Sequence, residues 1–192
     1  DTIFALSSGA PPAGIAVIRV SGPAARAALE QLARRVPPPR TASLALLADP
    51  QDDAPLDRAL TLWLPGPATV TGEDLVELHC HGGRAVVAAV EAALAAMPGL
   101  RRAEAGEFTR RAFANGRMDL NAVEGLADLL AAETQQQRRA ALMMAEGHFS
   151  RRIEGWRATL LDLSAMAEAA LDFSDEDDVP DAAIEARIGA GI

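Results

Sequence analysis

Residues 73–97 read "EDLVELHCHGGRAVVAAVEAALAAM". Two grammars meet here at a glycine pair. The first half, "EDLVELHC", alternates apolar and polar side chains with the period of a β-strand. The second half places Val87, Val90, Leu94 and Met97 at three- and four-residue steps, the spacing of an amphipathic helix. A strand that turns at Gly82-Gly83 into such a helix predicts a sheet covered by helices. The same stretch contains a carboxylate, two of the three histidines and the only cysteine, packed into "ELHCHGG" at 77–83.

Upstream, the alternation continues. "TIFAL" (2–6) and "GIAVIRV" (14–20) are apolar and β-branched and read as strands, as does "RALTLWLPGP" (58–67), closed by its Pro-Gly-Pro turn. Gly22-Pro23 opens a helix over "GPAARAALEQLARR", and "PPPR" ends it. Eleven of the 12 prolines lie at or before Pro98. Proline breaks helix interiors and suits turns and strand ends. The first hundred residues or so are therefore mixed α/β, and the remainder is mostly helical.

In the second region, "LRRAEAGEFTRRAFANGRMDL" reads as an arginine-rich linker with Arg101, Arg102, Arg110, Arg111 and Arg117. Those arginines could meet phosphates, but balancing nearby acids is the reading preferred. Asp119 then caps a helix through Val123, Leu126, Ala127 and Leu130. A longer helix follows, with Leu142, Phe149, Trp156, Leu163 and Ala170 seven apart and Ile153, Leu160 and Ala167 between them. Such a heptad stripe packs on its own bundle or forms a seam to another segment. "DFSDEDDVPD" reads as a solvated acidic loop without the EF-hand spacing, and "AAIEARIGAGI" as the start of a further helix. Two helices and part of a third make an incomplete bundle. The expected class is α+β: an α/β domain over 1–118, then the first helices of an all-α domain over 119–192.

Composition narrows the function. All 18 basic residues are arginine, and a phosphate-binding P-loop requires lysine. A net charge of −9 argues against a stand-alone nucleic-acid binder. One cysteine excludes an internal disulfide and fits a reducing compartment. No apolar run approaches a membrane span, and no signal segment opens the chain. A cytoplasmic setting is expected. The absence of an initial methionine suggests a trimmed or incomplete N-terminus.

Strand alternation puts Glu77, His79 and His81 on one face and Val76, Leu78 and Cys80 on the other. Cys80 then acts as a small buried hydrophobe. Glu77 and His81 lie roughly 13 Å apart along a regular strand, while metal ligands converge to about 2 Å from one ion. Neither a metal centre nor a Cys-His nucleophile pair fits. A carboxylate near a strand end can instead accept a bidentate pair of N–H groups from a heterocycle. The competing reading makes Glu77 an ordinary ion-paired glutamate and the two histidines packed, hydrogen-bonded groups.

Four ordered blocks then carry a resemblance. "GIAVIRVSGP" (14–23), "LPGPATVTGEDLVELHCHGG" (64–83), "AEAGEFTRRAFANGRMDLNAVEGLADLL" (103–130) and "EAALDFSDED" (168–177) closely resemble the MnmE (TrmE) family of tRNA-modifying GTPases. The resemblance implies an N-terminal folate-binding domain similar to that of glycine-cleavage aminomethyltransferases. It implies homodimerisation through that domain, and a helical domain into which a potassium-dependent, Ras-like GTPase is inserted. The parent's GTP, K+ and Mg2+ belong to that G domain, which this chain lacks along with the family's C-terminal cysteine motif. It also implies partnership with the FAD protein MnmG in modifying the wobble uridine of tRNA at C5. The one-carbon unit would come from a tetrahydrofolate derivative, 5-formyl- or 5,10-methylene-tetrahydrofolate.

Carried over by position, the resemblance assigns folate contacts to Arg19 in "VIRVSG", Glu77 in "TGEDLVEL" and Arg117 in "FANGRMDL". Arg117 stands where other members have lysine, a change that keeps charge but replaces a point donor by a planar fork. Glu77 would accept from the pterin N–H groups, and the arginines would face polar substituents or the anionic tail. Val70, Leu75 and Leu78 are candidates for an apolar slot. A further folate contact of the family lies in a C-terminal segment absent here, and no catalytic residue or metal ligand is assigned within the chain. Two other readings stand beside this one: a stand-alone folate-dependent aminomethyl or formyl transferase, and a helical interaction module.

Overall fold

A computed structural model of the chain describes residues 1–172. The chain divides into two compact units, Asp1–Met118 and Asp119–Ile192. The acidic stretch from Phe173 and the helix expected after it lie outside the described residues.

The first unit is built on a six-stranded sheet. Its strands are β1 (Thr2–Leu6), β2 (Ala13–Ser21), β3 (Ser43–Ala48), β4 (Pro55–Leu64), β5 (Leu75–Gly82) and β6 (Leu100–Arg102), ordered β3-β4-β5-β2-β1-β6. Every pairing is antiparallel except β1 with β6. Helices α1 (Ala25–Ala33) and α2 (Arg84–Ala95) pack on it. Alternation decides which side chains meet them. Ala16, Ile18 and Val20 of β2, Ala45 and Leu47 of β3, Ala59 and Trp63 of β4, and Val76, Leu78 and Cys80 of β5 enter one core cluster with Leu29, Leu32, Val90 and Leu94.

The intervening residues of the same strands form the opposite face. There Ile15, Leu44, Leu46 and Leu60 remain between 45% and 62% exposed. The sheet is thus covered on one side and open over β2–β5 on the other.

Three local findings differ from the reading of the sequence. Ser43–Ala48 forms a strand that periodicity did not announce, because its outward residues, Leu44 and Leu46, are as apolar as its inward ones. The supposed linker contains β6 and helix α3 (Glu107–Ala114). Gly82 is not in a turn but ends β5, where a Cβ would lie 2.3 Å from the backbone oxygen of Ala13. Its missing side chain lets the irregular start of β2 approach.

The second unit begins with α4 (Leu120–Ala131), N-capped by the Asp119 side chain accepting from the Ala122 N–H. Helix α5 (Gln135–Ala145) carries a capping box between Thr134 and Gln137. Gly125 lets α4 and α5 meet closely: a Cβ there would lie 2.5 Å from the Ala145 nitrogen. Helix α6 (His148–Asp172) follows. The single long helix expected over the heptad stripe is therefore two, separated at Glu146-Gly147, where Gly147 takes a positive φ of 71°. Nor does the stripe pack on its own unit among the described residues: Phe149, Ile153, Trp156 and Leu160 are 40–65% exposed. The position of the Ala170 side chain lies outside the described residues.

Candidate functional site

The open sheet face holds the charged pair at its centre. Arg19 on β2 and Glu77 on β5 are direct cross-strand partners, and the Arg19 Nε donates to Glu77 Oε1 at 2.8 Å. Glu77 Oε2 is engaged separately, at 3.0 Å from His79 Nε2, two residues along the same strand. The Glu77 side chain is 16% exposed, against 39% for Arg19 and 31% for His79. Burial pushes the Glu77 carboxyl pKa up, but hydrogen bonds from His79 and Arg19, with the Arg19 charge, outweigh it and hold it below the ordinary value. Glu77 is thus an ionised acceptor at neutral pH. A carboxylate offers about four lone-pair positions; two are used here, which leaves one on each oxygen.

Apolar neighbours on this face come from β4 and β2. Leu62 pairs with Glu77, and Leu60 and Val17 pair with His79. Of the apolar residues expected beside the glutamate, Leu75 shares its strand face. Leu75 is buried there, two residues before Glu77, whereas Leu78 points into the helix-covered core and Val70 is 49% exposed on the preceding loop.

Arg117 is positioned by a different route. Helix α3 ends in a Schellman arrangement: Gly116 N donates to Phe113 O and Arg117 N to Ala112 O. This sets Arg117 against the loop before β5, where its Nε donates to Thr69 O at 3.1 Å. Asn115 Nδ2 donates to Thr71 O at 2.7 Å. Gly72, at φ +79°, permits the contact, since a Cβ would sit 3.0 Å from that of Asn115 and 3.3 Å from Cγ of Arg117. Among the described residues no carboxylate pairs with Arg117. Arg19 and Glu77 are brought into direct contact, whereas no hydrogen bond joins Arg117 to either.

The loop is itself anchored by side chains the sequence did not single out. Ser21, on the same face of β2 as Arg19, lies 2.7 Å from Thr71 Oγ1 and donates to Glu73 Oε2 at 2.8 Å. Arg111 of α3 joins Glu73 at 3.1 Å and Glu107 at 3.1 Å, and Arg101 binds Glu107 through two nitrogens. Hydrogen bonds from Arg101, opposed by burial and aided by the Glu104 N–H and Arg111, bring the Glu107 pKa down to about 2. Three of the five linker arginines (101, 110 and 111) thus bind local acids in this corner, and Arg102 pairs with Glu91 of α2. Extending the β5 alternation backwards would have placed Glu73 on the Glu77 face. Nothing in the sequence marks Arg111 as its partner.

The remaining residues of "ELHCHGG" separate. His81 Nδ1 lies 2.7 Å from Asp57 Oδ1 and its backbone N–H donates to Asp57 Oδ2, which ties it to β4. Cys80 is 2% exposed, and burial raises its thiol pKa to about 12. It is a core side chain, not a nucleophile.

Among the described residues no helix is long and apolar enough to cross a membrane. Comparison with known proteins covers both units. The model of the GTP-binding protein TrmE N-terminus matches residues 2–117, and that of the MnmE helical domain matches residues 120–190. A tRNA modification GTPase MnmE of Novosphingobium aromaticivorans is 72% identical over 93% of this chain and 41% of its own length. Its namesake in Sphingopyxis alaskensis is 70% identical over 84% of this chain and 38% of its own length, and that of Erythrobacter litoralis 64% identical over 95% and 43%. The chain thus spans about two fifths of the length of these relatives. With both units matched by models of one family, this chain belongs to the TrmE/MnmE family.

Proposed function

We propose that the α/β unit is the folate-binding portion of a tRNA-modifying GTPase, with Arg19, Glu77 and Arg117 as its folate contacts. The observation that carries this is the Arg19–Glu77 pair on an open, partly apolar sheet face. The residues suit a reduced pterin. Glu77 is ionised with an acceptor position left on each oxygen, so it can take two adjacent N–H groups. Leu60, Leu62 and Val17 supply apolar contact for a ring. Arg117, without a carboxylate partner among the described residues, suits an anionic tail.

When bound, the tetrahydrofolate derivative would supply the one-carbon unit. This chain's own part is to bind and orient it. On this reading GTP hydrolysis with K+ and Mg2+, the MnmG partner with its FAD, and the tRNA wobble uridine belong to the parent protein. The relatives' name, tRNA modification GTPase, supports it. Homodimerisation through this unit would cover Ile15, Leu44 and Leu46, whose exposure supports such a contact. The exposed stripe of α6 would be covered by helices from the rest of the parent.

The deciding experiment is calorimetric titration of the chain with 5-formyl-tetrahydrofolate, with sedimentation run in parallel. Micromolar binding that Glu77→Gln weakens at least about tenfold, about 1.4 kcal/mol, is the expected result. Saturating ligand without heat or protection from unfolding would reject the site. GTP hydrolysis by this chain alone would contradict the whole reading.

A further inference from the structure

We propose that His79 is a positioning residue for ligand binding: it fixes the plane of the Glu77 carboxylate, so that the two free acceptor positions face a heterocycle together. The inference rests on the folate reading above and deepens it.

The geometry divides the carboxylate between two elements. Arg19 on the neighbouring strand holds Oε1 at 2.8 Å, through Nε alone. His79 holds Oε2 at 3.0 Å. The terminal torsion of a glutamate is broad and roughly two-fold, so one hydrogen bond leaves the carboxylate free to rock. A second donor on the other oxygen removes that freedom. Bidentate recognition of two adjacent N–H groups requires both oxygens in the plane of the ligand, and a carboxylate held there in advance loses less freedom on binding.

The direction of the proton follows from the partner. An ionised carboxylate only accepts, so His79 Nε2 carries the hydrogen and Nδ1 is left away from Glu77. The cross-strand partners of His79 on the same face are Val17 on β2 and Leu60 on β4. At 31% exposure the ring is neither part of the core nor free. His81, two residues on, cannot replace it because Asp57 engages its Nδ1 and backbone N–H.

Two substitutions separate positioning from packing. His79→Leu keeps apolar bulk against Val17 and Leu60 but removes the donor. His79→Gln restores a side-chain N–H that can reach Oε2. With the full chain and 5-formyl-tetrahydrofolate as probe, His79→Leu should weaken binding about tenfold and His79→Gln by no more than about threefold. The wild-type ring should also show the Nε2–H tautomer in nitrogen-detected NMR, and thermal unfolding should match in all three proteins. Wild-type affinity in the leucine variant, or an equal loss in both variants, would overturn the assignment. If wild type binds and Glu77→Gln does not, while both His79 variants bind normally, the His79 inference falls and the folate site stands. If wild type itself fails to bind, both fall.

Discussion

The two units are built from similarly apolar sequence and end in opposite condition. In the α/β unit Phe4, Ile18, Val20, Leu29, Leu47, Leu78, Val90 and Leu94 are all 0% exposed. In the helical unit only small residues, Ala122, Gly125 and Ala141, are buried among the described residues, while Trp156 and Leu160 are 54% and 65% exposed. The α/β unit has a second layer: α1 and α2 lie across the sheet face where alternation collects the apolar side chains. Among the described residues the apolar stripe of α6 has none. A periodic apolar pattern states that a face needs covering, and only the arrangement of other elements states whether it is covered.

The chain has two tryptophans, and each reports on one unit. Trp63 is 7% exposed in the α/β core, and Trp156 lies on α6. The comparison predicts a large response to core truncation in the first unit. Leu78→Ala should lower its stability by about 3 kcal/mol, read from the urea midpoint of Trp63 fluorescence in a Trp156→Phe background. A Trp156 transition that moves with it would show that the units unfold as one.

Glu107→Gln should cost about 2 kcal/mol near neutral pH, since it removes a nearly buried acceptor of charged hydrogen bonds. The pH sign follows from the depressed value. With a folded pKa of about 2 against an ordinary 4.5, the contribution is full above 4.5 and disappears as pH falls toward about 2. Acid titration should therefore bring wild type and variant together below that window; a constant gap down to the lowest pH would reject the ion-pair origin.

Gly125→Val tests the close approach of α4 to α5 in the helical unit. It should cost about 1–2 kcal/mol by forcing α4 away from α5, visible as helix loss at lower temperature with the Trp63 signal unchanged. The smallest effect belongs to the stripe: Trp156→Ser should change the stability of this chain by less than about 0.5 kcal/mol. A loss above about 1 kcal/mol by helical circular dichroism would mean that α6 is already covered in solution.

Much of the fold is legible because side-chain period is local. β1, β2, β4 and β5 and helices α1, α2 and α4 follow from alternation, three- and four-residue steps and caps. The failures share a cause as well. β3 is apolar on both faces, so alternation is silent there. β6 is three residues long, and α3 sits among arginines that resemble a solvated linker until their carboxylate partners are known. At the site, alternation correctly separates Glu77 and His79 from Cys80. It does not reveal that Glu77's oxygens are shared between His79 and a residue 58 positions earlier.

By itself the sequence determined which side chains share a strand face, where α4 starts, and that Cys80 and the histidines beside it point apart. These depend on neighbours a few residues away, and backbone geometry converts such spacing directly into direction. The tertiary structure alone decided that the Arg19–Glu77 pair lies on the uncovered side of the sheet, that Arg117 is carried to the Thr69–Gly72 loop by the end of α3, and that the α6 stripe is exposed. Those outcomes depend on which distant elements dock together. That is settled by the combined burial of faces across the whole unit, and no local pattern records it.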